Sequence, residues 1–131
     1  MSRSWSFPGE ARVHCLLVAV DFASELSELE RSLNSIEAVV DPDAMRAEIA
    51  SLEEQAAAPD LWNDQANAQS VTSRLSHLQN DLNRVVGLRS RLDDLAVLVE
   101  LAQEEGDADS LAEADRDIGK LRGDVEAMEV R

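Results

Sequence analysis

Residues 71–102 read VTSRLSHLQNDLNRVVGLRSRLDDLAVLVELA, and the spacing of their apolar side chains decides the fold. Val71, Leu75, Leu78, Leu82 and Val85, then Leu88, Leu92, Leu95, Val99 and Ala102, recur at steps of 4 and 3, which places them on one face of an α-helix. The alternation fails once, between Val85 and Leu88, where a second step of 3 follows the first. Gly87 lies at that slip and weakens a helix there, so the spacing predicts a kink or short break between Val86 and Asp94. Glu105, Gly106 and Asp107 end the segment, glycine being the usual residue just past a helix end.

The same periodicity extends to both sides. Leu26, Leu29, Leu33, Ile36 and Val40 form one stripe of a helix that is expected to begin near Ser24 and to end at Asp41 and Pro42. Pro42 suits the first turn of a second helix, where its missing N–H costs nothing. That helix carries Met45, Ile49, Leu52 and Ala56 and stops before Pro59. After residue 107, Leu111, Ala114, Ile118, Leu121, Val125 and Met128 form an unbroken heptad stripe, with Asp109 or Ser110 as its expected cap. No Gly, Pro or capping residue follows Arg131, so this helix is expected to be truncated. The short connections at 57–63 and 106–109 favour antiparallel neighbours. The expected fold is therefore all-α, an antiparallel helical bundle with coiled-coil character.

Composition agrees. The 131 residues suffice for one domain with one modest core. Hydrophobic residues make up 44% of the chain but aromatics only 3%, so the core is built of Leu, Val, Ile, Ala and Met. Three Pro and five Gly are too few for the turns of an all-β chain. Twelve Lys and Arg against 27 Asp and Glu leave a net charge of −15, which repels phosphates and argues against direct nucleic-acid binding. An acidic surface suits contact with basic proteins.

Residues 1–19 read as a separate leader, either disordered or translated from a misassigned start, and residues 20–131 as the helical domain. Val13–Val20 is apolar apart from His14, but far short of the roughly twenty residues that cross a bilayer. Arg3 and Arg12 precede it as in a secretory signal, yet no small-residue cleavage site follows. Cys15 is the only cysteine, which excludes an intramolecular disulfide and a thiolate metal cluster and points to a reducing, cytoplasmic setting.

One stretch breaks the repetition: Pro59-Asp60-Leu61-Trp62-Asn63-Asp64. Asp64 can cap the helix that follows by accepting from the backbone N–H of Ala66 or Asn67. Leu61 and Trp62 lie just outside that cap and are both expected to fold back over the bundle end, the indole burying about 200 Å².

This stretch, with Ala68-Gln69, Thr72 to Leu78, Arg91 to Leu95, Leu98 to Glu105, Ala112 to Asp115 and Glu126 to Arg131, resembles the amino-terminal domain of the bacterial peptide chain release factor 2 family. The resemblance covers about residues 20–131. One departure is Gln65, where the family usually has Pro. The resemblance implies a translation termination factor directing release at UAA and UGA, whose amino-terminal domain packs on the factor's body and faces the stalk-base proteins of the large ribosomal subunit. The family's decoding tripeptide Ser-Pro-Phe and hydrolytic motif Gly-Gly-Gln do not occur here. The segment is accordingly expected to be non-enzymatic, with no catalytic, cofactor-binding or metal residues, no cofactor and no membrane contact.

Other residues fit that expectation. The pairs Glu53 and Glu54, Asp93 and Asp94, and Glu104 and Glu105 are adjacent on helices and point about 100° apart, so they read as solvated charge. His77 has no second imidazole beside it and reads as a surface histidine. Arg84, Arg89 and Arg91 are expected to pair with Asp81, Asp93 and Asp94 on the surface. The competing reading of the same stripes is a freestanding acidic coiled-coil adaptor or oligomerisation module.

Overall fold

The computed structural model describes residues 3–129, with side chains from Phe22 onward. Four α-helices follow one another: α1 (Arg3–Val40), α2 (Pro42–Ala56), α3 (Gln65–Glu105) and α4 (Ala108–Glu129), with a 3₁₀ turn at Leu61–Asn63 between α2 and α3. Among the described residues there is no strand, as expected of an all-α chain. The stripe predicted to start near Ser24 is the second half of the longer α1. The leader expected at residues 1–19 falls outside the residues whose side chains are described.

The chain divides into two compact units, residues 1–33 with 91–131, and residues 34–90. In the first, the buried side chains are Phe22, Leu29 and Leu33 of α1, Leu92, Leu95, Val99 and Ala102 of α3, and Ala114, Ile118, Leu121 and Val125 of α4. These are the stripes read from the sequence, with one addition: Phe22 lies one turn before Leu26 and opens the α1 stripe. The ion pair Arg91 Nη1–Asp124 Oδ2 at 2.6 Å joins points about equally far from the α3–α4 corner, so these two helices run antiparallel. Arg122 of α4 reaches Glu25 of α1 at 3.4 Å.

In the second unit the core cluster comprises Met45, Ile49 and Leu52 of α2, Leu61 of the 3₁₀ turn, and Ala68, Val71 and Leu78 of α3. Val40, Ala56, Leu75 and Leu82 pack against its margin. Arg74 of α3 and Glu48 of α2, each about two turns from the connecting turn, meet at 3.1 Å, which again makes the pair antiparallel.

The break predicted near Gly87 does not occur. Helix α3 is continuous for 41 residues, about 60 Å at the usual rise. A single glycine costs a helix only about 1 kcal/mol, and Val85 and Leu88 on either side are buried, which outweighs it. The slip in the stripe coincides instead with a change of partners: α3 belongs to the second unit up to Ser90 and to the first from Arg91.

The helix corners follow from cap chemistry. Between α1 and α2 a single residue, Asp41, adopts φ 54°, a left-handed conformation that aspartate tolerates better than most side chains. Its Oδ1 accepts from the Ala44 N–H at 3.2 Å, and Pro42 occupies the first helical position. At the end of α3, Gly106 has φ 66°, its N–H donating to the Ala102 carbonyl at 2.9 Å and the Asp107 N–H to the same oxygen at 3.3 Å. The Gly106 bond is that of an αL cap, and the Asp107 bond adds the outer contact of a Schellman ending.

The cap of α4 corrects the expectation of Asp109 or Ser110. It is Asp107, whose Oδ1 accepts from the Asp109 N–H at 3.1 Å and whose Oδ2 accepts from the Ser110 hydroxyl at 2.9 Å. The Ser110 hydroxyl, then the Asp109 N–H, hold the Asp107 carboxyl below its ordinary pKa by stabilising the charged form.

Candidate functional site

The Pro59–Asp64 stretch is built as a compact turn. The Leu61 N–H donates to the Ala58 carbonyl at 3.2 Å, the Asn63 N–H to the Asp60 carbonyl at 3.1 Å and the Asp64 N–H to the Leu61 carbonyl at 3.4 Å. Asp64 then caps α3: its Oδ1 accepts from the Asn67 N–H at 3.2 Å, one of the two donors foreseen, and its carbonyl accepts from the Ala68 N–H at 2.9 Å.

Of the two apolar residues expected to fold back over the helices, only one does. Leu61 is buried and joins the core cluster, whereas Trp62 is 63% exposed. Successive residues of a tight 3₁₀ turn point about a third of a revolution apart, so only one of them faces the helices, and the smaller leucine takes that place. Asp60, Asn63 and Asp64 line a shallow open concavity on the turn with Gln55 and Asn67. Trp62 lies outside that lining, and its indole stands in solvent.

The adjacent carboxylates Glu53 and Glu54, Asp93 and Asp94, and Glu104 and Glu105 are all exposed, and so is His77. Arg84 is exposed as well, and the other two members of its cluster reach across to facing helices. Arg89 crosses to α1, donating from Nη2 to Glu37 Oε1 at 2.6 Å, from Nε to Glu37 Oε2 at 3.2 Å and from Nη2 to Asn34 Oδ1 at 2.8 Å. Arg91 takes Asp124 of α4. Sequence spacing along α3 carries no signal for either pairing.

A second open groove, in the first unit, runs between α3 and α4 and mixes Arg91 and Lys120 with Asp94, Asp117 and Asp124 over Leu95 and Leu121. Its charges largely offset one another, and no hydroxyl, thiol or imidazole lines it. Among the described residues no polar or charged side chain is buried, no group of three His, Cys, Asp or Glu could hold a metal ion, and no helix is long and apolar enough to cross a membrane.

Residues 45–131 match the PCRF domain family, and the chain belongs to it. It is also similar to peptide chain release factor 2 of several bacteria, which bears out the resemblance read from its residues. It is 54% identical over 111 residues to that of Mycolicibacterium smegmatis, covering 85% of this chain and 30% of the relative. It is 57% identical over 114 residues to that of Beutenbergia cavernae, covering 87% and 30%, and 50% identical over 115 residues to that of Streptomyces avermitilis, covering 88% and 31%. The chain thus spans about a third of the length of the curated relatives it matches.

Proposed function

We propose that this chain is the helical domain of a translation termination factor of the release factor 2 type, which directs release at UAA and UGA stop codons. Identity of 50–57% to release factor 2 across more than four fifths of the chain carries this reading. The domain's role is contact: it packs against the rest of the factor's body and meets the stalk-base proteins of the large ribosomal subunit in the cytoplasm. Its net charge of −15 favours a basic protein partner and disfavours direct binding to RNA. Hydrolysis and stop-codon reading are not its work, because the segment carries neither the Ser-Pro-Phe nor the Gly-Gly-Gln motif, and its exposed carboxylates do not converge on a common point.

A chimera tests the proposal. Residues 20–131 replace the matching segment of Mycolicibacterium smegmatis release factor 2, and the product is assayed on purified ribosomes for peptide release at UAA, UGA and UAG and for rescue of cells depleted of the native factor. Release at UAA and UGA close to the parental rate, with none at UAG, is expected. A folded chimera that neither rescues growth nor supports release would refute the assignment.

A further inference from the structure

The turn between α2 and α3 holds one large apolar side chain that neither packing nor capping uses. Trp62 is 63% exposed while Leu61 fills the core position beside it. An indole carries about 200 Å² of surface, and leaving it in water forgoes a large burial gain. The stretch of chain around it carries charge of one sign. From Ala47 to Ser73 the chain contains no Lys, Arg or His, whereas Glu48, Glu53, Glu54, Asp60 and Asp64 are all exposed. Arg74 reaches back to pair with Glu48, but Glu53 and Glu54 on the last turns of α2, and Asp60 and Asp64 on the turn itself, face solvent.

We propose that the Trp62 turn is a docking site for an arginine- and lysine-rich protein segment. The face of an indole attracts cations through its quadrupole, and guanidinium groups stack on it well. The carboxylates on either side steer the segment in and pair with its remaining charges. The amides of Gln55, Asn63 and Asn67 around the concavity offer hydrogen bonds to its backbone. A nucleic acid could also stack on the ring, but its phosphates would meet these same carboxylates. The proposal deepens the termination-factor reading, on which it rests only for where such a segment is met, namely in a ribosomal protein.

The test needs no ribosome. In the full chain with Trp5→Phe, Trp62 is the only indole, and its fluorescence is followed during titration with a synthetic peptide of alternating Arg and Gly at 150 mM salt. A saturable change is expected. With the same peptide labelled and followed by anisotropy, Trp62→Ala weakens binding about 2- to 30-fold, the range of a cation–π contact. The triple change E53Q, E54Q and D60N weakens it further and flattens its salt dependence. Circular dichroism confirms that each variant remains folded. Binding by Trp62→Ala within a factor of about two of the parent would show that only diffuse charge attracts the peptide, and would overturn the proposal. Tighter binding of an oligouridine than of the peptide would overturn it in favour of a nucleic-acid partner. A chimera that fails in release while the peptide still binds through Trp62 would sink the functional reading and leave this one standing.

Discussion

Alanine in place of Leu61 and, separately, of Trp62 weighs two neighbouring residues whose sizes and environments point in opposite directions. Leu61→Ala removes three carbons from a side chain buried against the α2 and α3 cluster. Three methylene equivalents at about 0.8 kcal/mol each give about 2.4 kcal/mol of lost transfer energy, and the residual cavity raises the total to as much as about 4 kcal/mol. Trp62→Ala removes far more volume, but from a ring that is 63% exposed, and should cost under about 0.5 kcal/mol. Urea unfolding followed by circular dichroism at 222 nm measures both differences. For a 131-residue chain the Leu61 variant should also melt roughly 7 to 15 °C lower. A Trp62 variant destabilised by more than about 2 kcal/mol, or a Leu61 variant within about 0.5 kcal/mol of the parent, would show that the indole, not the leucine, closes this end of the unit.

Three further outcomes follow from the caps and cross-helix contacts. Gly87→Ala should stabilise the chain by about 0.5 to 1 kcal/mol, since the position is helical and an added Cβ meets nothing within 4 Å, whereas Gly106→Ala should destabilise it by about 1 kcal/mol through its φ of 66° alone. Thermal melts that rank the two variants in the opposite order would contradict the helix geometry. A double-mutant cycle on Arg89 and Glu37, a bidentate pair about three quarters buried, should give a coupling of about 1 to 2 kcal/mol, against under about 0.5 kcal/mol for the more exposed Arg74 and Glu48; equal couplings would count against the difference in burial. The Asp107 carboxyl should titrate below the usual aspartate range in NMR, so its contribution to stability is present above the unfolded pKa and is lost as pH falls through the lower folded value; Ser110→Ala should move the midpoint upward, and an unmoved midpoint would remove the hydroxyl as the cause.

Much of the candidate site was legible in advance because its chemistry is local. Asp64 caps α3 through an atom three residues away, and the turn signal of Pro59 and Asp60 needs no knowledge of the rest of the chain. Asp107 could have been found from its place directly after Gly106, the position where a helix ending and a new cap often share one corner. The exposure of Trp62 could not, since a side chain beside a cap can turn inward or outward, and which it does depends on the space left by the facing helices. Hydrophobicity alone favours the larger ring, but the cluster of Met45, Ile49 and Leu52 admits the leucine.

The sequence by itself determined the helices, their apolar faces and most of their corners, because contacts at three and four residues' spacing repeat along a single chain and can be counted without a partner. It took the packing of helix on helix to settle that the slip at Gly87 passes without a break, that Arg89 reaches Glu37 and Arg91 reaches Asp124, and that Leu61 rather than Trp62 is buried. Each of these depends on which helical faces lie opposite one another. That pairing arises between residues tens of positions apart, and no local spacing encodes it.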